Sequence, residues 1–310
     1  MPAMNVNDMT FGVEIECTLR HDVIRENGIT VGEYHNGIQV PGLPTGWVAM
    51  YDGSISAGRN RTGAEIVSPI LKGVDGLRQV VAVMNKLRDW RTRVNASCGF
   101  HVHVGFPGNA LDVLQKLVHF TAFYERGIFA TTGTKSRELG SYCKPIKHEY
   151  KNAVYTNAAA LNRSLPRGND GYRVDRYRLL NLCNLLMGRK PTVEFRAFGG
   201  TLNPVKAVSY IRMCLALVQR SHNARHLPAF EGMDNSRRPG STTMVWFFRK
   251  MGWLFDGSNT PMGVLGHGEE GIPTVAECVE ELKRLAAKYD DDPRGGAFPP
   301  VTGTTPTGMP

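Results

Sequence analysis

The sequence predicts an α+β fold built on a mainly antiparallel sheet, and three observations lead to this class. Four short strand-like runs carry polar residues among apolar ones, so each run would present one polar and one apolar face. Longer segments with helical spacing of apolar residues separate these runs. Parallel strands covered on both faces read as continuous apolar runs, whereas alternation is typical of an antiparallel sheet open on one face. The helices are therefore expected to pack outside the sheet, against its apolar face.

The first two strand-like runs carry acidic residues. The strand predicted at 10–20 places Glu14 and Glu16 on one face, because side chains two apart in a strand point the same way. A second run carries Glu65 and ends at Pro69, which cannot donate a hydrogen bond to a sheet. We expect all three carboxylates to lie on the polar face.

Two later runs carry pairs of polar residues at the same spacing. His101 and His103 would project together from one of them, and Glu194 and Arg196 from the other. The apolar neighbours of these residues indicate half-buried strands rather than exposed edges. The two runs span residues 97–105 and 192–198.

The other elements are predicted from helical spacing, turn-forming residues and capping signals. Asn203 followed by Pro204 is a favourable N-cap and first-turn pair. The glycine-rich polar segment 131–170 is predicted to form a mobile loop over the site. In chain order the predicted elements are a loop with a short hairpin at 25–45, a strand at 47–51 leading into a turn at 52–54, a helix at 75–94, a helix at 109–129, the loop 131–170, a helix or short run at 171–187, and helices at 203–220, 241–254 and 273–289.

The chain of 310 residues is long enough to bury a large core, and we expect one catalytic domain over residues 1–289. Its core motifs lie within 10–220, and a helical C-terminal part covers 221–289. The segment 290–310 lacks core-forming residues and is predicted to be a disordered tail.

Charge and cysteine content narrow the class of protein. The net charge of +9 is spread along the chain without a basic block, so a nucleic-acid partner stays open but is not favoured. The six cysteines have no paired spacing and fall in apolar patterns, which predicts buried free thiols in a reducing compartment. No apolar run approaches the roughly 20 residues of a membrane helix, and no secretory signal is visible. We therefore expect no membrane association and a cytoplasmic location.

Charged residues on half-buried strands predict a ligand site, because burying a charge is costly unless it is paired or binds a metal. Carboxylates, imidazoles and an arginine on one face are best explained by divalent cations and a phosphate-bearing ligand. The alternatives are a solvated strand edge for Glu14 and Glu16, and a surface ion pair for Glu194. Cys98 could instead begin a zinc site with the two histidines, although a fourth soft ligand at matching spacing is missing.

The motifs together resemble the amidoligases, carboxylate–amine ligases that form a branch of the glutamine synthetase and glutamate–cysteine ligase fold. The resemblance covers roughly residues 10–220. It implies a glutamine synthetase-like catalytic fold, whose sheet curves into a partial barrel with metals and nucleotide on the concave face. The matching motifs are an E-x-E strand, a D-G-S turn, an E-x-V-S-P strand, a G-x-H-V-H-V-G strand, an R-x-x-x-L-N segment and a V-E-F-R strand.

The resemblance implies a role for each matching residue. It implies ATP and Mg²⁺ or Mn²⁺ as cofactors, and a carboxylate and an amine as substrates, free or attached to a peptide or macromolecule. Arg196 would hold the transferred phosphate and His103 would face the nucleotide phosphates, while Asp52 would deprotonate the amine or merely cap its turn. The implied metal ligands are Glu14, Glu16, Glu65, His101 and Glu194. The implied nucleotide or substrate contacts are Arg176, Arg178 and Asn181.

The chemistry of amide formation asks for these residue types. Joining a carboxylate to an amine in water is uphill, so ATP first phosphorylates the carboxylate, and hard oxygen ligands hold the cation that neutralises the triphosphate. The G-x-S-x-G and Walker A patterns are absent from the sequence. Two rival functions stay open: a metal-dependent hydrolase that uses the His-x-His strand, and a basic nucleic-acid-binding protein with a vestigial site. The oligomeric state does not follow from the sequence.

Overall fold

The polar and apolar faces predicted from the sequence belong to one sheet. In the computed structural model, which describes residues 4–106, 111–146, 175–225, 238–251 and 271–294, eight strands form this sheet. The strands are β1 (Thr10–Arg20), β2 (Ile38–Gln39), β3 (Val48–Tyr51), β4 (Arg61–Val67), β5 (Leu71–Lys72), β6 (Gly99–Gly105), β7 (Leu180–Asn181) and β8 (Thr192–Gly199). Their order is β2-β3-β4-β1-β6-β8-β7, with β5 beside the start of β1, and all pairings between them are antiparallel. This arrangement confirms the α+β class.

The register of the sheet brings the predicted site residues opposite one another. The central strand β1 lies between β4 and β6, and β8 continues the sheet beyond β6. Residues that face each other across antiparallel strands have Cβ atoms roughly 5 Å apart, so their side chains meet on one face. The facing pairs are Glu14 and His101, Glu16 and Glu65, His103 and Glu194, and Asn181 and Glu194.

A bulge in β8 sets where the polar face ends. The register between β6 and β8 shifts so that Arg196 and Ala197 lie opposite His101 alone. Without the extra residue, Phe198 would share the polar face with Arg196. With it, Phe195 and Phe198 are both fully buried in the apolar core, although they are three positions apart. Because of the bulge, β8 contributes Glu194 and Arg196 to the polar face and, two residues later, Phe198 to the apolar core.

Seven α-helices in the described ranges complete the fold. They are α1 (His21–Glu26), α2 (Gly73–Asp89), α3 (Leu111–Ala130), α4 (Cys183–Leu186), α5 (Pro204–Asn223), α6 (Gly240–Met251) and α7 (Val275–Asp290). The predicted cap of α5 is confirmed, because the Asn203 side chain accepts hydrogen bonds from the backbone of Val205 and Lys206. Helix α5 packs on the sheet, where the Tyr210 ring stacks on Phe198 with 4.2 Å between ring centres. The apolar face of the sheet is therefore covered by helices, and the polar face is left for the site.

The ends of several helices differ from the predicted ones, for example at α5, which runs to Asn223 instead of 220. Helix α2 was expected to reach residue 94, but it ends at Asp89, because Arg91 adopts a positive φ of 51° and Arg93 pairs with Thr18 on β1. The tail was expected to begin at residue 290, but Asp290 closes α7, and its carboxylate accepts hydrogen bonds from the first backbone amides of α6.

Parts of the other predictions fall outside the described residues. The loop predicted at 131–170 is described as far as 146, where it forms turns, and the rest lies outside the described residues. The same applies to 171–174, to 252–254 and to the tail from 295. All six cysteines are buried and free, as expected. No helix in the described ranges is both long and apolar enough to cross a membrane.

Candidate active site

Glu14 lies at the centre of a cluster on the polar face of the sheet. One of its carboxylate oxygens, Oε2, lies 3.1 Å from His101 Nδ1, and the other, Oε1, lies 2.8 Å from His103 Nε2. The same Nδ1 atom of His101 lies 3.5 Å from Glu194 Oε1. Three strands thus direct carboxylates and imidazoles at one point, as the spacing of the sequence predicts.

Two groups of side chains in this cluster could each hold a metal ion. One contains Glu14, Glu65 and His101, the other contains Glu14, His103 and Glu194, and the ligand atoms of each group lie within 4.8 Å of one another. His103 Nε2 is buried and close to Glu14, yet it makes no hydrogen bond of acceptable geometry with the described residues. A cation bound there would give both the His103 nitrogen and the Glu14 carboxylate a partner. The carboxylate-rich donor set suits Mg²⁺ or Mn²⁺.

The structure leaves two residues out of these groups. Glu16, which the resemblance implied as a metal ligand, accepts a hydrogen bond from the Gly99 backbone amide at 2.5 Å and lies 3.5 Å from His101 Nε2. One oxygen of Glu16 thus holds β6 against β1, the other still faces His101, and its role as a metal ligand stays a prediction. Cys98 also belongs to neither group, so the described residues do not form the zinc site considered as an alternative.

The charges of the cluster are mutually dependent. Burial alone would raise the pKa of Glu14, but the nearby His103 and His101 hold it well below its usual range. Burial likewise opposes ionisation of Glu194, while Arg196 and His103 keep the pKa of this carboxyl low. In return, burial would lower the pKa of His103, and the carboxylates of Glu14 and Glu194 raise it to about 9. The cluster therefore carries ionised carboxylates at neutral pH.

Glu65 behaves differently from its neighbours. Burial is the largest cause of its shift, and the charges of Glu14, Glu16 and Asp52 add to it, raising the pKa of Glu65 to about 10. Without a cation, this carboxyl is neutral at pH 7 and shares a hydrogen bond with Glu14. A cation bound here would displace that proton and turn Glu65 into a ligand.

Glu194 is held in place from two sides. Asn181 donates from Nδ2 to Glu194 Oε2 at 2.6 Å, and Arg196 donates from Nη1 to Oε1 at 2.5 Å. The side-chain oxygen of Asn181, Oδ1, in turn accepts a hydrogen bond from the Cys183 backbone amide. This bond fixes the orientation of the Asn181 side-chain amide. The described contacts of Asn181 position Glu194, and its contact with nucleotide or substrate stays a prediction, since Asn181 also lines the cavity at the cluster.

The two predicted arginines near Asn181 differ in placement. Arg178 is buried, donates to Asp175 Oδ2 at 2.9 Å and to the Pro145 carbonyl oxygen, and does not line the cavities around the cluster. Its predicted contact with nucleotide or substrate is therefore not supported by the geometry, because its guanidinium binds Asp175 and the backbone at Pro145. Arg176 does line these cavities, and its guanidinium donates to the Tyr177 hydroxyl.

Three cavities lined by described residues adjoin the cluster. The central cavity of about 490 Å³ contains both groups of possible ligands together with Asp52, Arg176 and Arg196. A side cavity of about 260 Å³ continues past Arg196 and Asp52. An apolar cavity of about 400 Å³ lies next to His103 and Glu14. The apolar residues that line it are Phe11, Val13, Val67, Pro69, Ile70 and Pro191.

Sequence reasoning missed several residues of the side cavity. Arg137 and Tyr142 come from the turns after α3, and Tyr34 comes from the loop before β2. No periodic pattern marks these segments, so nothing in the sequence distinguishes them from surface residues. Tyr177 lies within the R-x-x-x-L-N motif, and its position next to Arg176 was the available signal.

Gly99 is required by the close approach of β6 to the cluster. A Cβ atom there would lie 2.7 Å from His101 Nε2 and 3.3 Å from Arg137 Nη2. Gly99→Ala is therefore expected to displace His101 and weaken Mn²⁺ binding by about tenfold or more, as measured by calorimetry. The control is Gly199→Ala at the facing position, where a Cβ meets no atom within 4 Å. Equal losses in the two variants would contradict this account.

The raised pKa of Glu65 gives the cation-free protein a defined pH dependence. The folded state keeps a proton between the ordinary value of 4.5 and about 10, whereas the unfolded chain loses it, so the free energy of unfolding falls as pH rises through this window. Glu65→Gln removes that dependence. In EDTA, we expect urea denaturation to show a smaller loss of stability from pH 6 to pH 9 for Glu65→Gln than for the wild type. An identical loss would show that Glu65 is ionised in the folded state.

Comparison with solved structures finds a similar fold. The chain resembles a bifunctional glutathione synthetase from Pasteurella multocida, with a TM-score of 0.50 and 12% identity over 93% of this chain and 48% of that protein. The chain thus spans about half the length of that protein, and identity at this level shows the fold alone.

Two further structures are similar at a lower level. One is a complex of GmaS with ADP, with a TM-score of 0.38 and 14% identity over 92% of this chain and 70% of that one. The other is a complex of the prokaryotic ubiquitin-like protein Pup with its ligase PafA, with a TM-score of 0.38 and 10% identity over 91% of this chain and 63% of that one. These values are too low to carry an argument. A search of curated proteins finds no match.

The sequence itself gives the stronger relationship. A family model described as "Putative amidoligase enzyme" matches residues 7–218, which is most of the chain and contains every strand of the cluster. The match covers the same region as the motifs that suggested this resemblance. The chain belongs to the amidoligase family.

Proposed function

We propose that this protein is an ATP- and Mg²⁺-dependent carboxylate–amine ligase that forms an amide or isopeptide bond through an acyl phosphate. The observation that carries the proposal is the convergence of two possible cation-binding groups and the guanidinium of Arg196 on one cavity. Such an arrangement matches what phosphoryl transfer requires, namely cations on the phosphates and a fixed positive charge at the transferred group. Membership of the amidoligase family supports the choice of a carboxylate acceptor.

The cation-binding groups would hold Mg²⁺ or Mn²⁺, whose chemistry is to neutralise the triphosphate. Glu14 belongs to both groups, so its carboxylate would help to hold a cation at either position. His103 lies between the cluster and the apolar cavity. We place the nucleotide base in that cavity, since its lining is mostly apolar and the phosphates would then lie beside His103.

Arg196 is suited to the transferred phosphoryl group. Its Nη1 atom is engaged by Glu194, whereas its Nε atom is buried and has no hydrogen-bond partner among the described residues. Burial would lower the pKa of Arg196, but Glu194 and Glu14 raise it, so the guanidinium stays charged in this site. A donor that is already oriented and desolvated stabilises charge as it develops on the phosphoryl oxygens.

The second half-reaction needs a base for the incoming amine. The carboxylate oxygen attacks the γ-phosphorus and ADP leaves; the amine nitrogen then attacks the acyl carbon and inorganic phosphate leaves. Asp52 lines both polar cavities, and its Oδ1 atom accepts a hydrogen bond from the Ser54 backbone amide at 2.7 Å. A carboxylate held in this way would take the proton that the amine loses.

The test is a coupled screen in which ADP release is measured with Mg²⁺-ATP, a panel of carboxylates and a panel of amines. The proposal expects ADP release that requires both substrates and a product one water lighter than their sum, identified by mass spectrometry. Cleavage of amides or phosphoesters without ATP would instead favour a metal-dependent hydrolase. Salt-sensitive DNA or RNA binding that survives Glu14→Ala, without ADP release, would favour a nucleic-acid-binding protein.

A further inference from the structure

The chain just after α7 is tied to the turns that carry Arg137. The side chain of Asp292 is only 8% exposed, and its Oδ2 atom accepts hydrogen bonds from the Lys135 backbone amide at 2.9 Å and from the Thr134 hydroxyl at 3.0 Å. The Asp292 carbonyl oxygen also accepts a hydrogen bond from Lys135 Nζ at 2.5 Å. The helix dipole disfavours carboxylates at the C-terminal end of a helix, so these contacts offset an unfavourable placement.

Two further contacts bring α7 itself against the same turns. The Tyr289 hydroxyl donates to the carboxylate of Glu138, the residue after Arg137. Gly133 adopts a positive φ of 73°, and a Cβ atom there would lie 2.9 Å from Leu285 Cδ2 on α7. The backbone conformation and the close approach both require glycine at this position. The C-terminal part of the chain therefore fixes the turns on both sides of Arg137.

Arg137 in turn holds the bulge of β8. Its Nη2 atom donates to the Arg196 carbonyl oxygen at 2.7 Å, and its Nε atom donates to the Ala197 carbonyl oxygen at 3.4 Å. These are the two residues that the bulge places opposite His101, where the ladder between β6 and β8 is interrupted. The guanidinium of Arg137 thus supplies hydrogen bonds to the backbone at the point from which the Arg196 side chain reaches the central cavity.

We propose that Asp292 is a positioning residue of the active site, which acts through Arg137 and the β8 bulge to fix the guanidinium of Arg196 at the transferred phosphoryl group. This inference rests on the proposed ligase function and adds a residue beyond 7–218, the range that the amidoligase family model matches. Misplacement of a catalytic group by about 1 Å can cost roughly 100-fold in rate. A contact outside the cavities can therefore control the reaction without touching the reacting atoms.

The experiment measures, by calorimetry on the full chain with Mg²⁺, the gain in affinity for ADP that aluminium fluoride provides by mimicking the phosphoryl group in transfer. We expect Asp292→Ala to reduce this gain about tenfold or more, while its affinities for ADP alone and for Mn²⁺ change by less than about threefold. Asp292→Asn keeps an acceptor oxygen for the Lys135 amide and should retain most of the gain. An unchanged gain in Asp292→Ala would overturn the inference.

Two other variants make the result specific to this contact. Asp291→Ala is the matched control, because the neighbouring carboxylate is exposed and makes none of these contacts, and it should behave like the wild type. If Asp292→Ala does not fold, Thr134→Val takes its place, since it removes one donor to Asp292 and keeps the shape of the side chain. We expect Thr134→Val to lose about threefold or more of the gain, and no loss would contradict the inference.

A double variant tests the route through Arg137. Arg137→Met removes the hydrogen bonds to the bulge, so it should also reduce the gain from aluminium fluoride. If Asp292 acts through Arg137, the variant that carries both Asp292→Ala and Arg137→Met should lose no more of the gain than Arg137→Met alone. Losses that multiply in the double variant would show that the two residues act independently, and the proposed route would be wrong.

Hydrogen exchange separates this inference from the proposed ligase function. The backbone amides of 194–199 should exchange faster in Asp292→Ala than in Asp291→Ala, whatever reaction the protein catalyses. If the wild type gains no affinity from aluminium fluoride while this difference in exchange is seen, the phosphoryl-transfer proposal fails and the positioning of the bulge stands. If the gain is present and Asp292→Ala changes neither the gain nor the exchange, the ligase proposal stands and the role of Asp292 is wrong.

Discussion

Replacing Glu14 by alanine is expected to abolish high-affinity cation binding, with a rise in the Kd for Mn²⁺ of about 100-fold or more. Glu14 is the only residue shared by the two possible ligand groups in the described ranges, and each of its oxygens contacts a different histidine. Its loss therefore affects both positions together. Nucleotide binding that depends on Mg²⁺ should disappear with it, as measured by thermal shift with ATP.

The fold is expected to survive this substitution. Glu14 lies on the polar face of β1. Its removal also takes away a negative charge that repels the carboxylate form of Glu65 and so raises the pKa of Glu65. We expect the melting temperature without metal to stay within about 4 °C of the wild type. The control is Glu280→Ala, on the exposed face of α7, which should leave Mn²⁺ affinity unchanged. A collapse of folding in Glu14→Ala, or unchanged Mn²⁺ binding, would show that the cluster is a structural charge network.

Replacing Arg196 by methionine should remove stabilisation of the transferred phosphoryl group while sparing the nucleotide. An arginine that contacts this group only as charge develops contributes about 10³-fold or more to the rate. The effect can be measured before the substrates are known, by comparing ADP with ADP and aluminium fluoride, a mimic of the phosphoryl group in transfer. The wild type should bind the mimic more tightly than ADP alone, whereas Arg196→Met should bind both equally.

Two controls make the Arg196 result specific. Affinity for ADP with Mg²⁺ should change by less than about threefold in Arg196→Met, since Arg196 itself belongs to neither cation-binding group and Asn181 still holds Glu194. Arg284→Met, on the exposed surface of α7, is the matched variant: it removes a guanidinium away from the site and should keep the gain from aluminium fluoride. If Arg196→Met still gains affinity from aluminium fluoride, the phosphoryl group lies elsewhere.

The strands of the site could be predicted because their periodicity carries the information directly. In β1, β6 and β8 the polar residues are two apart, and this spacing alone places them on one face. The alternating pattern also predicted that the sheet is antiparallel and covered by helices on one side. What brought Glu14 to His101 and His103 to Glu194 was the register, which the hydrophobic pattern specifies only once strands are paired.

Other features could not be predicted, because they depend on contacts between distant segments. Arg137 reaches the site from turns without periodicity, and its partners are backbone carbonyls exposed by a bulge. Glu16 differs from Glu14 through one hydrogen bond to the Gly99 amide, which no local pattern encodes. Arg178 looked like a ligand contact in the sequence, but Asp175 lies within reach of its guanidinium and forms an ion pair with it.

The bulge in β8 has a consequence for how related chains can differ in length. Within β8 on the N-terminal side of Arg196, a one-residue insertion or deletion would move Glu194 to the apolar face of the sheet and Phe195 to the polar face. After Ala197, the bulge has already been passed and β8 carries no further cation ligand. A length change there would therefore leave the cation ligands in place. We therefore expect relatives of this chain to accumulate gaps after residue 197 and to keep the spacing of 192–196 unchanged.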